Sequence, residues 1–242
     1  MKTWLVRQGR DCLLDFGLLG LRVDIANVCS SRPNYSFISI EIFMDESQDP
    51  NEAAQVCPDG LLSEFQEMWS EADQIWEQHH KDAGFFRYVS ADYQAVFEAL
   101  SRVQGRATFL EWGSGLGVAT IMASRMGFEA YGIEAESELV DYSETFAKKY
   151  GPSASFAHGS FIPEEFQWDP AEGEEVFRTI IDLPSAYDVF DMELRDFDLV
   201  YAYPWPDEYM LYCSILRQYG RSGSMLLSYD AREGMLEKVF GE

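Results

Sequence analysis

The segment Phe109-Leu-Glu-Trp-Gly-Ser-Gly-Leu-Gly-Val-Ala119 decides the fold that this sequence predicts. It begins as a short apolar strand, turns through Gly113, Gly115 and Gly117, and continues into a helix. Glycine lets the chain turn tightly and lets a ligand approach the backbone, because no Cβ stands in the way. The helix that follows supplies free N–H groups for a carboxylate or a phosphate. The segment therefore predicts a ligand-binding turn between a strand and a helix.

The glycine spacing differs from that of two common nucleotide-binding loops. A dinucleotide fingerprint reads G-x-G-x-x-G, and Val118 stands at its third glycine. A Walker A loop is excluded because no Gly-Lys-Ser/Thr follows. The observed spacing is G-x-G-x-G, preceded by the acid Glu111, and it offers no good cradle for a pyrophosphate. An NAD-linked oxidoreductase is therefore disfavoured.

Strands and helices alternate in the second half of the chain. Strands are predicted at 108–112, 129–133, 153–157, 197–202 and 224–228, with helices at 118–126, 136–150 and 208–218. Strands separated by helices imply right-handed crossovers and a parallel sheet covered on both faces. The predicted fold class is α/β, with a Rossmann-like, mostly parallel sheet. Residues 230–240 are predicted to be helical, which leaves the sheet without a final antiparallel pair.

The N-terminal part has a different character. Residues 1–60 predict a β-rich extension, and residues 61–242 the main domain. Tyr35–Met44 alternates apolar residues as a strand does, and 13–28 is a less regular strand or hairpin. The loop-like segment 45–60 forms the boundary, and helices are predicted at 61–80 and from Ser90 onward. The N-terminal strands would complete the main sheet at an edge, or that sheet is shorter.

An acid stands at the end of the second predicted strand, in Gly132-Ile133-Glu134. An acid at the carboxyl edge of such a sheet can accept hydrogen bonds from two ribose hydroxyls. A ligand with a ribose and a short zwitterionic tail fits this pattern. S-adenosylmethionine therefore fits better than NAD.

Three segments together resemble the class I S-adenosylmethionine-dependent methyltransferases: 111–117, 132–134 and 198–206. The resemblance covers roughly residues 85–233. A narrower likeness, in 132–143 and in Arg87-Tyr88-Val89, is to the small methyltransferases that modify lysines of mitochondrial carrier and ATP-synthase proteins.

The resemblance implies a set of cofactor-binding residues in or just after the first three strands: Glu111, Gly113, Gly115, Gly117, Glu134, Ser160 and Phe161. The three glycines would line the methionine moiety, with Glu111 near its amino group. Glu134 would hold the ribose. Ser160 and Phe161 would offer the adenine a hydroxyl and an aromatic face.

Catalytic residues are expected in Tyr203-Pro-Trp-Pro-Asp-Glu208, directly after the fourth strand. In amino-methylating relatives, a proline–aromatic motif at this point faces the nucleophilic nitrogen. Aromatic faces suit a cationic sulfonium or ammonium, so Tyr203 and Trp205 are expected to align the acceptor. Asp207 or its neighbour Glu208 could attract an amine or accept its proton.

The composition limits the partners. The chain has 242 residues with 18 Lys+Arg against 42 Asp+Glu, a formal net charge of −24. This charge counts against nucleic-acid and anionic-membrane binding, which need clustered basic residues. A hydrophobic fraction of 47%, with 15% aromatics, excludes overall disorder. The acids form a solvated face, an adaptation to high salt, or a rim that attracts a cationic substrate.

The cysteines and the N-terminal sequence bear on metal binding, on disulfide formation and on the cellular location. Cys12, Cys29, Cys57 and Cys213 stand far apart, so neither a zinc site nor a disulfide framework is expected, and no other metal site is indicated. No secretory signal and no apolar run long enough to span a bilayer are recognised. A cytoplasmic location is expected.

These patterns predict an enzyme that transfers the methyl group of S-adenosylmethionine to an amine of a small molecule or to a protein lysine. The alternative is a non-catalytic protein on the same fold that binds S-adenosylmethionine or regulates a partner. Cofactor binding without turnover would favour this alternative, since fold alone does not establish activity.

Overall fold

The computed structural model describes residues 26–28, 37–39, 59–103, 105–167, 178–179, 183–205, 207–230 and 232–241. The chain divides into two compact units, Met1–Ala54 and Gln55–Glu242. In the first unit, β1 (Ala26–Val28) pairs antiparallel with β2 (Phe37–Ser39). The remainder of the predicted strands at 13–28 and 35–44 lies outside the described residues.

The second unit contains a six-stranded sheet in the order β5-β4-β3-β6-β7-β8, parallel except for the last strand. The predicted α/β, Rossmann-like fold class is confirmed. Its elements are α1 (Asp59–His79), α2 (Tyr93–Arg102), β3 (Thr108–Trp112), α3 (Val118–Arg125), β4 (Glu129–Glu134), α4 (Ser137–Tyr150), β5 (Ser155–His158), β6 (Leu199–Ala202), α5 (Tyr209–Tyr219), β7 (Met225–Asp230) and β8 (Gly234–Val239).

Two hydrophobic layers cover the faces of this sheet, because successive side chains of a strand point to opposite faces. Phe109 packs into the layer formed with α1 to α4. Leu110, the next residue, packs into the other layer with α5 and the short turns near residues 187 and 194. Strands buried on both faces are continuous apolar runs, which is why β3 and β6 were recognisable in the sequence.

The prediction of a helix at 230–240 is wrong. This segment turns back and forms β8, which pairs antiparallel with β7. The Asp230 carboxylate accepts hydrogen bonds from the backbone N–H groups of Arg232 (2.7 Å) and Glu233 (2.9 Å), and Gly234 has a φ of +79°. This tight turn places β8 on the otherwise unpaired edge of β7, where its backbone groups find partners.

One smaller expectation also differs. The helix expected from Ser90 begins at Tyr93, and its N-cap is Asp92, whose side chain accepts the Ala95 N–H at 3.1 Å. For the edge of the large sheet, which the sequence left open, the described N-terminal strands β1 and β2 belong to a two-stranded sheet of their own. They pair with each other, and β8 is the sixth strand of the large sheet.

The strand order locates a binding crevice. The chain passes outward from β3 through β4 to β5, then crosses back to β6 on the other side of β3. Ligands of open α/β sheets bind where the strand order reverses, at the carboxyl ends of the strands. In this chain that point lies between the glycine-rich turn after β3 and the Tyr203–Trp205 segment after β6.

Candidate cofactor and acceptor site

A cavity of about 780 Å³ lies at the carboxyl ends of the parallel strands. Its volume falls in the range of roughly 300–1,000 Å³ that is typical of small-molecule sites. Of the residues predicted from the sequence, those in its wall are Gly113, Glu134, Ser160, Phe161, Tyr203, Trp205 and Asp207. The sheet therefore brings together residues from four separate loops.

Three predicted residues stand behind this wall rather than in it: Glu111, Gly115 and Gly117. Glu111 is buried, and one of its oxygens accepts hydrogen bonds from the backbone N–H (2.9 Å) and the hydroxyl (2.6 Å) of Thr120. Burial raises the pKa of Glu111 to about 8, against the opposing effect of the Thr120 donors. In this structure Glu111 ties the end of β3 to the first turn of α3.

Gly115 and Gly117 allow close packing inside the turn. Both have positive φ, +52° and +76°, a conformation that side chains other than glycine rarely adopt. A Cβ at Gly115 would overlap the ring of Tyr88, and one at Gly117 would meet Phe156 and Ser143. Gly113 differs, because a Cβ there would have no atom within 4 Å and would enter open space.

Glu134 is the acid at the tip of β4, and its carboxylate is both buried and part of the cavity wall. One oxygen accepts the Gly115 N–H at 2.8 Å. The other accepts the N–H groups of Ala135 (2.8 Å) and Glu136 (3.0 Å). Burial raises the pKa of Glu134, and these three donors oppose the rise. A carboxylate offers about four acceptor positions, so about one remains for a ligand.

Ser160 and Phe161 follow β5. The Ser160 hydroxyl accepts the Ile162 N–H at 3.1 Å, which shapes the loop. The Phe161 ring stacks on Trp112 with centroids 4.8 Å apart and an interplanar angle of 14°. It also contacts the ring of Tyr212, at 5.2 Å. The cavity thus has a rigid aromatic wall on this side.

The segment after β6 carries the predicted catalytic residues. Tyr203 packs edge-to-face on Tyr229, with centroids 5.1 Å apart. The Arg178 guanidinium lies over the Trp205 ring, 5.3 Å from its centroid. Asp207 is exposed in the cavity wall and has a φ of +73°, in the left-handed region. A non-glycine residue in that conformation is often found at a functional site.

Glu208, offered by the sequence as an alternative to Asp207, has a different place. Only 3% of it is exposed, and its carboxylate accepts the N–H of Arg178, together with the N–H (3.3 Å) and the hydroxyl (2.7 Å) of Thr179. It therefore holds a distant segment of the chain against α5. Asp207 is left as the carboxylate of this pair that faces the cavity.

Sequence reasoning did not single out several wall residues as ligand contacts: Arg178, Thr179, Tyr209, Tyr212, Ser228 and Arg232. Arg87, Tyr88 and Val89, quoted from the sequence for their likeness to lysine methyltransferases, also line the cavity. No motif marks the first group. The contacts of Glu208 hold Arg178 and Thr179 at the cavity, the β7–β8 hairpin supplies Ser228 and Arg232, and α5 supplies Tyr209 and Tyr212.

Comparisons with known proteins place methyltransferases among the structures similar to this chain. An RNA methyltransferase from Salinibacter ruber, in complex with S-adenosyl-L-homocysteine, matches with 16% identity and a TM-score of 0.44, over 64% of this chain and 95% of that one. An O-methyltransferase from Bacillus cereus matches with 14% identity and a TM-score of 0.39, over 72% and 67% of the two chains.

A third structure, an S-adenosylmethionine-dependent methyltransferase from Thiobacillus denitrificans, matches with 15% identity and a TM-score of 0.38. This match covers 64% of the present chain and 54% of that chain. No protein-family model matches the sequence, and no curated protein matches it.

Two further features of the described residues bear on the site. No group of three or more His, Cys, Asp or Glu side chains in this part of the chain is arranged to hold a metal ion. Within the same residues, no helix combines the length and the apolar character that crossing a membrane would need.

Proposed function

We propose that this protein is an S-adenosylmethionine-dependent methyltransferase. The observation that carries the proposal is the position of Glu134, a buried carboxylate in the wall of the cavity, hydrogen-bonded to the glycine-rich turn at Gly115. An acid at the tip of the second strand and a glycine turn after the first suit a ligand that has a ribose and a short polar tail. Class I methyltransferases, which the sequence resembles, bind their cofactor with these two features.

The residues present fit this cofactor. Gly113 leaves open space where a side chain would project into the cavity, so a ligand can approach the backbone. Glu134 would hold the ribose, and Phe161 would offer a flat face to the adenine. Bound there, S-adenosylmethionine would supply an activated methyl group for transfer to a nucleophile. Glu111, Gly115 and Gly117 would act indirectly, by shaping the turn.

The roles that we propose for the residues after β6 are supported by their positions in the cavity wall. Tyr203 lines the cavity with an aromatic ring, which attracts a cationic group by the ring quadrupole. The Trp205 ring has the Arg178 guanidinium over one face, so its other face would have to serve the acceptor. Asp207 places a carboxylate where it can draw in an ammonium group and accept its proton, since a protonated amine has no lone pair for attack. We therefore propose an amine as the methyl acceptor, carried by a small molecule or by a protein lysine.

Two further expectations from the sequence remain part of this proposal. The net charge of −24 disfavours a nucleic acid as acceptor, because binding its phosphates needs clustered basic residues. The wide spacing of the cysteines favours a reducing compartment such as the cytoplasm. The main domain would span residues 61–242, with the preceding segment as an extension.

Calorimetry with S-adenosylmethionine and S-adenosylhomocysteine tests cofactor binding. Both should bind, and Glu134→Gln should weaken both, because an amide has one acceptor oxygen where the carboxylate has two. Glu144→Gln is the matched control, since Glu144 lies exposed on α4. Failure of both ligands to bind the unmodified protein would contradict the proposal.

A ribose contact can be separated from a general loss of structure. The 2′,3′-dideoxy analogue of S-adenosylhomocysteine lacks both hydroxyls, so it should bind the unmodified protein more weakly than the parent compound. In Glu134→Gln this difference should shrink, whereas a variant that is merely misfolded would lose both ligands together. An unbiased transfer assay with labelled methyl donor on a lysate of the source cell would then identify acceptors.

A further inference from the structure

Three arginines line the cavity of a strongly acidic chain: Arg87, Arg178 and Arg232. Within the described part of the chain, none of their guanidinium groups pairs with a carboxylate within 4.0 Å. Other basic side chains do have such partners, namely Arg102, Arg125, Lys149, Arg195 and Arg221. Cations without a carboxylate partner are thus gathered where a ligand would bind.

Arg178 is held in place through its backbone rather than its side chain. The Glu208 carboxylate accepts the N–H of Arg178, and it accepts the Thr179 hydroxyl at 2.7 Å. That hydroxyl is also 3.3 Å from the hydroxyl of Tyr212 in α5. The backbone at 178–179 is therefore fixed to the wall of the cavity, and the Arg178 side chain extends over Trp205.

The position over Trp205 suits recognition of an anion. A guanidinium group that stacks on an aromatic ring uses its flat face for the ring. Its five N–H donors lie in its own plane, so they stay available for a carboxylate or a phosphate. Stacking also reduces the side-chain freedom that would be lost when a ligand binds.

Ser228 gives an independent indication of a polar ligand. It lies on β7, opposite Leu236 of β8, and lines the same cavity. Only 2% of it is exposed, and its hydroxyl has no hydrogen-bond partner among the described residues. A buried hydroxyl without a partner is unfavourable, so a ligand atom that accepts or donates a hydrogen bond there would be stabilised.

The wall also carries five acids, Glu134, Glu136, Asp207, Asp230 and Glu233, so an anionic group would be bound by local contacts with an arginine rather than by the overall charge of the cavity. The Asp230 carboxylate accepts the N–H groups of Arg232 and Glu233, and the Glu134 carboxylate accepts three backbone N–H groups. The carboxylates of Glu136, Asp207 and Glu233 accept no hydrogen bond from the described residues. The wall therefore presents both arginines and carboxylates without hydrogen-bond partners among the described residues.

We propose that the part of the cavity beside Trp205 is a subsite for an anionic group, a carboxylate or a phosphate, of the methyl acceptor. Arg178 binds this group through its N–H donors, and Ser228 hydrogen-bonds to the same molecule. The acceptor is thus a zwitterion that carries both an amine and an anionic group. The identity of the occupant rests on the proposed methyltransferase function, whereas the anion subsite does not.

The test uses inorganic phosphate and acetate as probes, which are titrated into the 242-residue protein at an ionic strength kept constant with chloride. Binding is followed by NMR of the arginine Nε–Hε groups, with Arg178→Gln identifying the Arg178 signal. Saturable binding that shifts this signal is expected, and Arg178→Gln should weaken it at least tenfold. The stronger of the two probes indicates which anionic group the acceptor carries.

Two matched controls accompany these variants. Arg195→Gln removes an exposed arginine outside the cavity and should leave the affinity unchanged. Ser224 also has a buried hydroxyl without a partner among the described residues, but it does not line the cavity. Ser228→Ala should therefore weaken phosphate or acetate binding several-fold, and Ser224→Ala should not.

Absence of saturable binding, or equal affinities in Arg178→Gln and the unmodified protein, would overturn the subsite. Calorimetry with S-adenosylhomocysteine on the same samples separates the two proposals. If phosphate or acetate binds in an Arg178-dependent way but S-adenosylhomocysteine does not bind, the methyltransferase proposal fails and the subsite stands. If S-adenosylhomocysteine binds but phosphate and acetate do not bind in an Arg178-dependent way, the subsite proposal fails and the methyltransferase proposal stands.

Discussion

The backbone N–H of Gly115 donates a hydrogen bond to the carboxylate of Glu134 over 2.8 Å. This bond joins the turn after β3 to the end of β4, two strands that are neighbours in the sheet. A residue behind the cavity wall thereby holds a wall residue that lies 19 positions away in the chain. A change in the turn should therefore affect Glu134, even where the altered residue does not face the cavity.

The first prediction concerns the space around Gly115. Gly115→Ala combines a strained φ of +52° with overlap on the Tyr88 ring. We expect it to weaken S-adenosylhomocysteine binding at least tenfold and to lower the free energy of unfolding by about 1–3 kcal/mol. Calorimetry and urea denaturation measure the two effects.

A second variant separates overlap from backbone strain. Tyr88→Ala in the Gly115→Ala background should restore part of the lost affinity, because it removes the overlapping ring. Gly127→Ala is the control, since Gly127 has a φ of +96° but no atom within 4 Å of its missing Cβ. Equal losses of affinity in Gly115→Ala and Gly127→Ala would show that the overlap is unimportant.

The second prediction concerns the buried acid Glu111. Its pKa of about 8 in the folded protein lies above the value of 4.5 for an unperturbed Glu. Between these pH values the folded state holds a proton on Glu111 that the unfolded state has lost, so the contribution of Glu111 to stability is highest at low pH and falls as the pH rises towards 8. This group lowers the free energy of unfolding by up to about 1.4 kcal/mol per pH unit.

Glu111→Gln removes the titration but keeps an oxygen to accept the Thr120 hydrogen bonds. The difference in unfolding free energy between this variant and the unmodified protein should therefore shift in favour of the variant from pH 5 to pH 8. Urea denaturation at several pH values measures it. Glu144→Gln, an exposed change of the same type, should give a difference that does not vary with pH.

The third prediction concerns Glu208, which holds the backbone of Arg178 in place. Glu208→Ala removes the acceptor for the N–H groups of Arg178 and Thr179. Phosphate affinity should then fall towards that of Arg178→Gln, because the guanidinium is no longer held over Trp205. Glu208→Gln keeps an acceptor oxygen and should preserve most of the affinity. If Glu208→Ala binds phosphate normally, Glu208 does not position Arg178.

The fourth prediction concerns Asp207. Asp207→Asn keeps the size of the side chain, and asparagine tolerates the left-handed φ of +73°, so the fold should be retained. Methyl transfer to an amine should drop at least tenfold at neutral pH, because the carboxylate that receives the ammonium proton is gone. Raising the pH should recover part of the rate as more of the amine is free base. S-adenosylhomocysteine binding, measured by calorimetry, should be unchanged.

The elements around the glycine-rich turn were predictable because their signals are local. The predicted strand at 108–112 matches β3, and the helices at 118–126 and 136–150 agree with α3 and α4 to within one residue at each end. Apolar runs, helical periodicity and positive-φ glycines are all properties of short stretches. The acid at the tip of β4 was recognisable for the same reason.

Segment 230–240 shows where local signals fail. Met235, Leu236 and Phe240 recur at a spacing that a helix can accommodate, yet Gly234–Val239 is a strand. The free edge of β7 decides this, because its backbone groups need partners and the turn at Asp230 brings the chain back to them. The sequence of residues 230–240 does not show that β7 has unpaired backbone groups at its edge, so it does not reveal that this segment will pair with β7.

The position of Glu208 in the candidate site also depends on tertiary contacts that the local sequence does not show. In the sequence it is equivalent to Asp207, since both are acids that follow Trp205. The tertiary structure separates them, because Glu208 is buried against Thr179, 29 residues earlier in the chain. Asp207 stays in the cavity wall.

By itself, the sequence determined the α/β order of elements, the glycine turn and the acid at Glu134, because each depends on neighbours along the chain. Only the tertiary structure decided that β8 completes the sheet, that Glu111 is engaged by Thr120, and that arginines line a cavity in a chain of net charge −24. These depend on burial and on contacts between distant segments. Composition can sum the charge of a chain, but folding decides where each charge lies.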